Sequence, residues 1–458
     1  MAGIGFKLAH MAREGGLAGI IGSAAYGAMI SAGPWLVTVA AVLMLDGWMV
    51  PRVDMAVRQM AQTVLVYGFS LSGLAAAPFG LLSVRLIADR LYVEDEDRVP
   101  RLTQAAMAAA GAVAMLIGLL LYGWLAPLPF GRALLATVLL VALSQIWIIS
   151  PLLAAIHRYR LVTIAYLAGV AAAAMTLGPG ADRILAAVAI GALTTLCVLV
   201  FAYRQHFATN SLDGVGPLPS MRTTLLLAAT GLLSTVAIWA DKWLLWFGPD
   251  SVATLGRLRL NPINDFGSFL SLLTIIPGLT LILIVTETRF DRAFGDMIVR
   301  CSGTSTAERI EQARQRVMEV ILDDLRLLLI LQSLLAALCW VFAVPLLDAI
   351  GADMRSLFAF RYTAIGVLFH LLTIQMTVIL SYYDLFRRIM LSWGAFALVS
   401  AAATLLQWHL GFAGFGWGYM AGAIVGGVVA LALVIHATTH LTYLLFVGNN
   451  PSIVGMGH

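Results

Sequence analysis

Apolar residues fall along this chain in about twelve long stretches, each near the length of a membrane crossing and separated by short polar breaks. A helix of about 20 residues crosses the roughly 30 Å hydrocarbon layer while satisfying its own backbone hydrogen bonds. The pattern therefore predicts spans near 18–45, 60–87, 102–125, 131–156, 161–177, 183–203, 223–247, 266–286, 327–350, 357–382, 388–409 and 415–441. The fold class that follows is an all-α polytopic membrane protein of about twelve transmembrane helices. Two polar connections stand out. The first, Asp89 to Arg101, holds the acidic run Glu94-Asp95-Glu96-Asp97. The second, Glu287 to Arg326, contains Ser305-Thr306-Ala307-Glu308, a capping-box pattern in which Ser305 caps and Glu308 reaches back. Beyond it Ile310, Val317, Ile321 and Leu325 recur at helical spacing opposite Glu311, Arg314 and Arg316. That spacing predicts a cytoplasmic amphipathic helix near 305–326, lying along the membrane face, against a partner, or simply closing a long connection.

Composition agrees with the pattern. Of 458 residues, 61% are hydrophobic and 11% charged, and the mean hydropathy is +0.92. A soluble domain this apolar would lack the polar surface to stay dissolved. Orientation follows from the basic residues. With both termini on one side, that side and its helix ends carry nineteen of the 28 Lys and Arg residues, and the other side nine. Both termini are therefore expected on the cytoplasmic side of the membrane. The net charge of +4 reflects this placement of arginine and not a nucleic-acid surface. Cys197, Cys301 and Cys339 have no framework spacing, which argues against disulfides or a metal cluster. The first sixteen residues are followed by an apolar stretch too long for a cleavable signal core.

The chain also repeats itself. In the second and eighth spans Ser72 matches Ser271, Leu74 matches Leu273, Pro78 matches Pro277 and Arg90 matches Arg289 at one offset. Trp124 and Pro129 share their spacing with Trp340 and Pro345, and Gln145 and Arg158 theirs with Gln375 and Arg388. Two six-helix pseudo-repeat lobes follow, near 1–210 and 211–458, related by an axis along the membrane normal. Proline inside a span removes a backbone hydrogen bond, so Pro34, Pro78 and Pro277 are candidate bend points.

Several chemistries are missing. The two lysines, Lys7 and Lys242, lie in no phosphate-cradling P-loop, and no HExxH occurs among the eight histidines. The longest polar stretch is too short for a catalytic domain, and no cofactor or catalytic residue is expected. The chain reads as a transporter and not an enzyme. Ionisable groups inside spans are costly and usually face a cavity. His370 and Gln375 lie mid-span, as packing residues or as substrate contacts. Asp241 and Lys242 lie at the outer end of a span beside Trp239, Trp243 and Trp246. Snorkelling with an aromatic belt accounts for them. So does a sugar path, in which flat rings stack on sugars and carboxylates accept hydroxyl hydrogens. Glu287 and Arg289 form a gate pair or ordinary interface charges, and Arg85 and Arg361 are the arginines a pyrophosphate would need.

The opening MAGIGFKL, the first-span YGAMISAGPWLV, then DKWLLWFGP, SFLSLLTIIPGLTLILIVTETRFD and YYDLFRR together resemble the PelG family, the inner-membrane polytopic component of Pel exopolysaccharide biosynthesis. The likeness runs over almost the whole chain, with departures at Ala9-His10 and at DRAFGDMI. The resemblance implies a MATE/flippase-like fold of the multidrug and oligosaccharidyl-lipid flippase superfamily. It implies passage of a growing polysaccharide rich in N-acetylgalactosamine. The partners it implies are the cytosolic glycosyltransferase PelF and the membrane-associated PelD and PelE. Two other cargoes stay open: a lipid-linked oligosaccharide, and a drug or ion in an antiporter.

Overall fold

A computed structural model of the protein describes residues 16–156, 158–207 and 219–448, with only the backbone given over most of 16–32. The opening MAGIGFKL and the two chain ends lie outside the described residues. The apolar stretches are helices: α1 (Gly16–Met49), α2 (Met55–Tyr92), α3 (Val99–Leu120), α4 (Phe130–Ala155), α5 (Tyr159–Thr176), α6 (Ala181–His206) and α7 (Met221–Leu245). After a short hairpin come α8 (Pro262–Leu272), α9 (Ile275–Val285), α10 (Asp291–Ser302), α11 (Ala307–Ala349), α12 (Leu357–Tyr382), α13 (Phe386–Leu406) and α14 (Trp417–Thr439). Among the described residues eleven helical segments are long and apolar enough to cross a membrane, and α1 contributes a further apolar stretch at Gly33–Met49. Each expected span has its helix.

The helices gather into two compact units. One holds Ala32–Pro262, and the other holds the helices from α8 onward together with the beginning of α1. Helix α7 packs against α2 inside the first unit. Within each unit the fourth span of the repeat is the central one. In the first unit α4 packs on α2, α3 and α6, and 56% of its apolar window is buried, against 22% for α5. In the second, α12 packs on α11 and α14 with 72% of its window buried, against 17% for α11. The matched residues Gln145 and Gln375 sit on these two central helices and are both buried.

Lipid tails are as apolar as leucine, so membrane helices hold together through close packing of small residues. On α14, Gly418, Gly422 and Gly426 form a ladder against Thr404, Ser400 and Phe396 of α13. A Cβ at Gly422 would stand 2.6 Å from Ser400 Cβ and 2.7 Å from the Phe396 carbonyl oxygen. Gly169 of α5 and Gly191 of α6 make the corresponding contact in the first unit: a Cβ at Gly191 would lie 2.9 Å from the Gly169 carbonyl.

The three prolines behave differently. Helices α1 and α2 run through Pro34 and Pro78 without interruption, and Thr38 Oγ1 donates to the Pro34 carbonyl at 2.9 Å. The run α8–α9 is broken at Leu273–Thr274, four residues before Pro277, whose ring cannot donate back to Leu273. Buried Gln332 of α11 donates to the Thr274 carbonyl at this break, at 3.2 Å.

Two local expectations change, and one element was not anticipated. The 305–326 stretch forms no separate helix: it is the first half of the 43-residue α11, which continues unbroken through the apolar run. At about 1.5 Å per residue such a helix exceeds the hydrocarbon thickness twofold, so its charged half projects beyond the span. The cap is Thr306, whose Oγ1 accepts from Arg309 N at 3.4 Å, and not Ser305. The loop after α7 holds an antiparallel hairpin, β1 (Val252–Leu255) and β2 (Leu258–Leu260), turning at Gly256 with φ +58°. It is pinned to the first unit. Tyr67 Oη donates to the Arg259 carbonyl at 2.9 Å and accepts from Arg259 N at 3.3 Å, and Arg257 N donates to the Leu125 carbonyl at 3.0 Å.

Candidate functional site

In the first unit the candidate residues occupy the last turns of α7. Asp241 and Lys242 are 1% and 5% exposed. Lys242 Nζ donates to both Asp241 carboxylate oxygens, at 3.0 and 3.2 Å, and to the Ile238 carbonyl at 3.3 Å. Snorkelling is therefore not what this pair does. Neighbours on a helix point about 100° apart, but the long lysine side chain folds back along its own helix and closes that gap. Trp239 and Trp243, one turn apart, stack at 6.3 Å between ring centroids. Trp246 is buried against Tyr67 at 4.5 Å. The Trp243 indole N–H is buried with no hydrogen-bond partner among the described residues. This end of α7 is a desolvated charge pair inside an aromatic collar.

In the second unit His370 sits at the middle of α12, 3% exposed. Its Nδ1 lies 2.7 Å from Tyr419 Oη of α14. Trp393 and Phe396 of α13 meet the imidazole edge to face, at 5.7 and 5.5 Å. Such contacts hold the ring in place. Gln375, on the same helix, is buried with its Oε1 lacking a partner among the described residues. A buried polar atom without a partner is costly in hydrocarbon surroundings. Trp243 Nε1 and Gln375 Oε1 are two such atoms.

Glu287 and Arg289 share one π-turn, Thr286–Phe290, between α9 and α10. Such a turn inserts a residue into the helical ladder and recurs at functional positions. Arg289 reaches α11, placing Nη2 3.3 Å from Asp323 Oδ2 and Nη1 2.6 Å from Asp324 Oδ1. The second approach is a charge contact whose angle is not that of a hydrogen bond. Asp324 precedes the apolar run that begins at Leu327. Burial pushes its carboxyl up to about 6, against the opposing pull of Arg289. The remaining arginines are engaged. Arg85 pairs with Asp89 at 3.4 Å along α2. Arg361 donates to the Trp340 carbonyl at 3.2 Å and lies over that indole at 5.1 Å. Within the acidic run, Asp95 is held by Arg90 and Arg98, at 3.4 and 3.5 Å.

Residues overlooked in the sequence are Asp324, Gln332, Tyr419 and Trp147, whose Nε1 donates to Ser72 Oγ at 3.1 Å. Gln332 carried a usable signal, a lone amide within an apolar run; Tyr419 carried none. Among the described residues no three His, Cys, Asp or Glu side chains gather to hold a metal. A cavity of about 410 Å³ opens beside Arg158, Gln205 and His206, away from the candidates above.

The chain matches the family model of PelG, an "exopolysaccharide Exporter (EPS-E)", over residues 1–446. No curated protein sequence matches significantly. Among solved structures it is similar to a multidrug-resistance MATE transporter of the MOP superfamily in its outward-facing conformation. The TM-score is 0.64 at 14% identity, covering 92% of this chain and 96% of that one. An inward-facing MATE transporter gives 0.57 at 13% identity, with 91% and 94% covered. A MOP-superfamily transporter from Pyrococcus furiosus, described by a reversed polarity of its binding pocket, gives 0.58 at 12% identity, with 92% and 96% covered. At these identities the likeness establishes the fold, a MATE-like arrangement of membrane helices.

Proposed function

We propose, from the premise that the chain belongs to the PelG family of exopolysaccharide exporters, that it passes a growing Pel-type polysaccharide, rich in N-acetylgalactosamine, across the bacterial cytoplasmic membrane. Membership makes the chain a multi-pass membrane transporter. The observation that carries the finer reading is a family match spanning 1–446 on a MATE-like fold. A sugar polymer cannot cross lipid unaided, because each hydroxyl buried without a partner costs several kcal/mol. A protein path has to replace water with hydrogen bonds and flat rings.

Trp239, Asp241, Trp243, His370 and Gln375 are our candidates for that path, supported by the stacked indoles and the unpartnered Trp243 Nε1 and Gln375 Oε1. Arg85, Glu287, Arg289 and Arg361 are our candidates for gate or interface positions, with both termini cytoplasmic. The division into lobes near 210 and the partners PelF, PelD and PelE complete the proposal. Polymerisation by the attached glycosyltransferase supplies the push. Ion coupling is the less favoured drive because the two buried acids among the described residues, Asp241 and Asp324, are already paired with Lys242 and Arg289. Secretion by cells carrying Asp241→Asn, His370→Ala or Glu287→Gln tests the residues. Each is expected to lower secreted polymer severalfold per molecule of exporter in the membrane, and normal secretion by all three would remove these sites.

A further inference from the structure

Helix α12 ends at Tyr382 and the chain leaves it through Asp384, a non-glycine residue at φ +60°. Here an aromatic cluster meets the π-turn. Phe290 and Phe294 are stacked at 5.9 Å with 6° between their planes. The Tyr382 ring stands edge-on to both, at 5.1 Å and 83° and at 5.9 Å and 87°. Phe290 is buried, whereas Tyr382 is 37% exposed. Tyr382 is therefore a ring held rigid from below and open from one side. Glu287 and Asp291 stand at helical spacing with Phe290 and Phe294, which places their carboxylates on the side of the turn that meets Tyr382. Behind the turn, Arg289 ties this segment to Asp323 and the buried Asp324 of α11. A tyrosine of a lipid-interface belt needs none of this, since water and headgroups suffice for its hydroxyl.

Resting on the export reading, we infer that Tyr382, flanked by Asp291 and Glu287, is a sugar-stacking platform that receives the polysaccharide strand as it enters from the cytoplasm. A rigid aromatic face offers the apolar side of a sugar ring a large contact at little entropic cost. The two carboxylates accept hydrogens from hydroxyl and acetamido groups at the ring edge, as ionised acids do. The site lies on the side carrying the arginine-rich 287–326 connection, which the basic-residue bias makes cytoplasmic.

The test is binding of an N-acetylgalactosamine tetrasaccharide to the full chain in nanodiscs, read by saturation-transfer NMR. Tyr382→Ala is expected to weaken binding at least about tenfold and Tyr382→Phe to leave it within about twofold. Asp291→Asn, on an exposed position where folding is not at stake, is expected to weaken it severalfold. Phe412→Ala, in an aromatic cluster beside the other end of α12, is the control and should bind normally. Unchanged affinity in both Tyr382→Ala and Asp291→Asn overturns the platform. So does absence of binding by a wild-type protein that still exports polymer, an outcome that leaves the export reading standing. Tyr382-dependent binding by a protein that exports nothing supports the platform and overturns the export reading instead.

Discussion

Asp241 and Lys242 show how much of a site depends on contacts that adjacency in sequence does not reveal. Both residues were visible as charges at a span end, yet their burial and pairing were not. Nothing in DKW distinguishes a lysine reaching outward from one folded back on its neighbour. The pair predicts a specific asymmetry. Removing one partner of a buried pair leaves an uncompensated charge, a loss of about 3–5 kcal/mol, whereas removing both is far milder. Lys242→Ala should therefore lower the thermal unfolding midpoint strongly in detergent, and Asp241→Asn combined with Lys242→Met should recover most of it. Equal losses in the single and double variants would show that the pair is not desolvated as described. His370 is the complementary case. Mid-span position singled it out as a packing residue or a substrate contact, but the Tyr419, Trp393 and Phe396 contacts that hold its ring come from two other helices.

At the scale of helices and turns, the spans were legible because lipid imposes their length and composition. What surrounds them was less so. Periodicity over 305–326 identified a helix, but it contains no statement about whether that helix bends before the apolar run. Ser305 and Thr306 are equally able caps, and only the backbone decides between them. The hairpin was missed because its strands are three and four residues long, although Leu255-Gly256-Arg257 between apolar residues was a turn signal. The glycines of α14 carry the clearest consequence. Gly422→Leu pushes a side chain into Ser400 and the Phe396 carbonyl, an overpacking that costs about 1–3 kcal/mol or more. Gly47→Ala, which meets nothing within 4 Å, is expected to be neutral. Thermal unfolding of the two purified variants checks this, and a Gly422→Leu protein as stable as the parent would contradict the packing described for α13 and α14.

At the scale of the whole molecule, each compact unit is organised around one deeply buried helix. A central fourth span, α4 in one unit and α12 in the other, bears matched buried glutamines and the greatest burial of its half. Weak residue matches alone did not reveal that α7 packs with the earlier helices, because packing partners are set by faces and not by repeat order. Cargo and driving force belong to this scale too. Inverted membrane vesicles containing the protein, with and without the cytosolic glycosyltransferase and with and without an ion gradient, measure both through labelled polymer protected inside the lumen. The account predicts lumenal polymer that requires this protein and the active glycosyltransferase and persists when the gradient is collapsed. Polymer made at the normal rate but accumulating only outside the vesicles would contradict it.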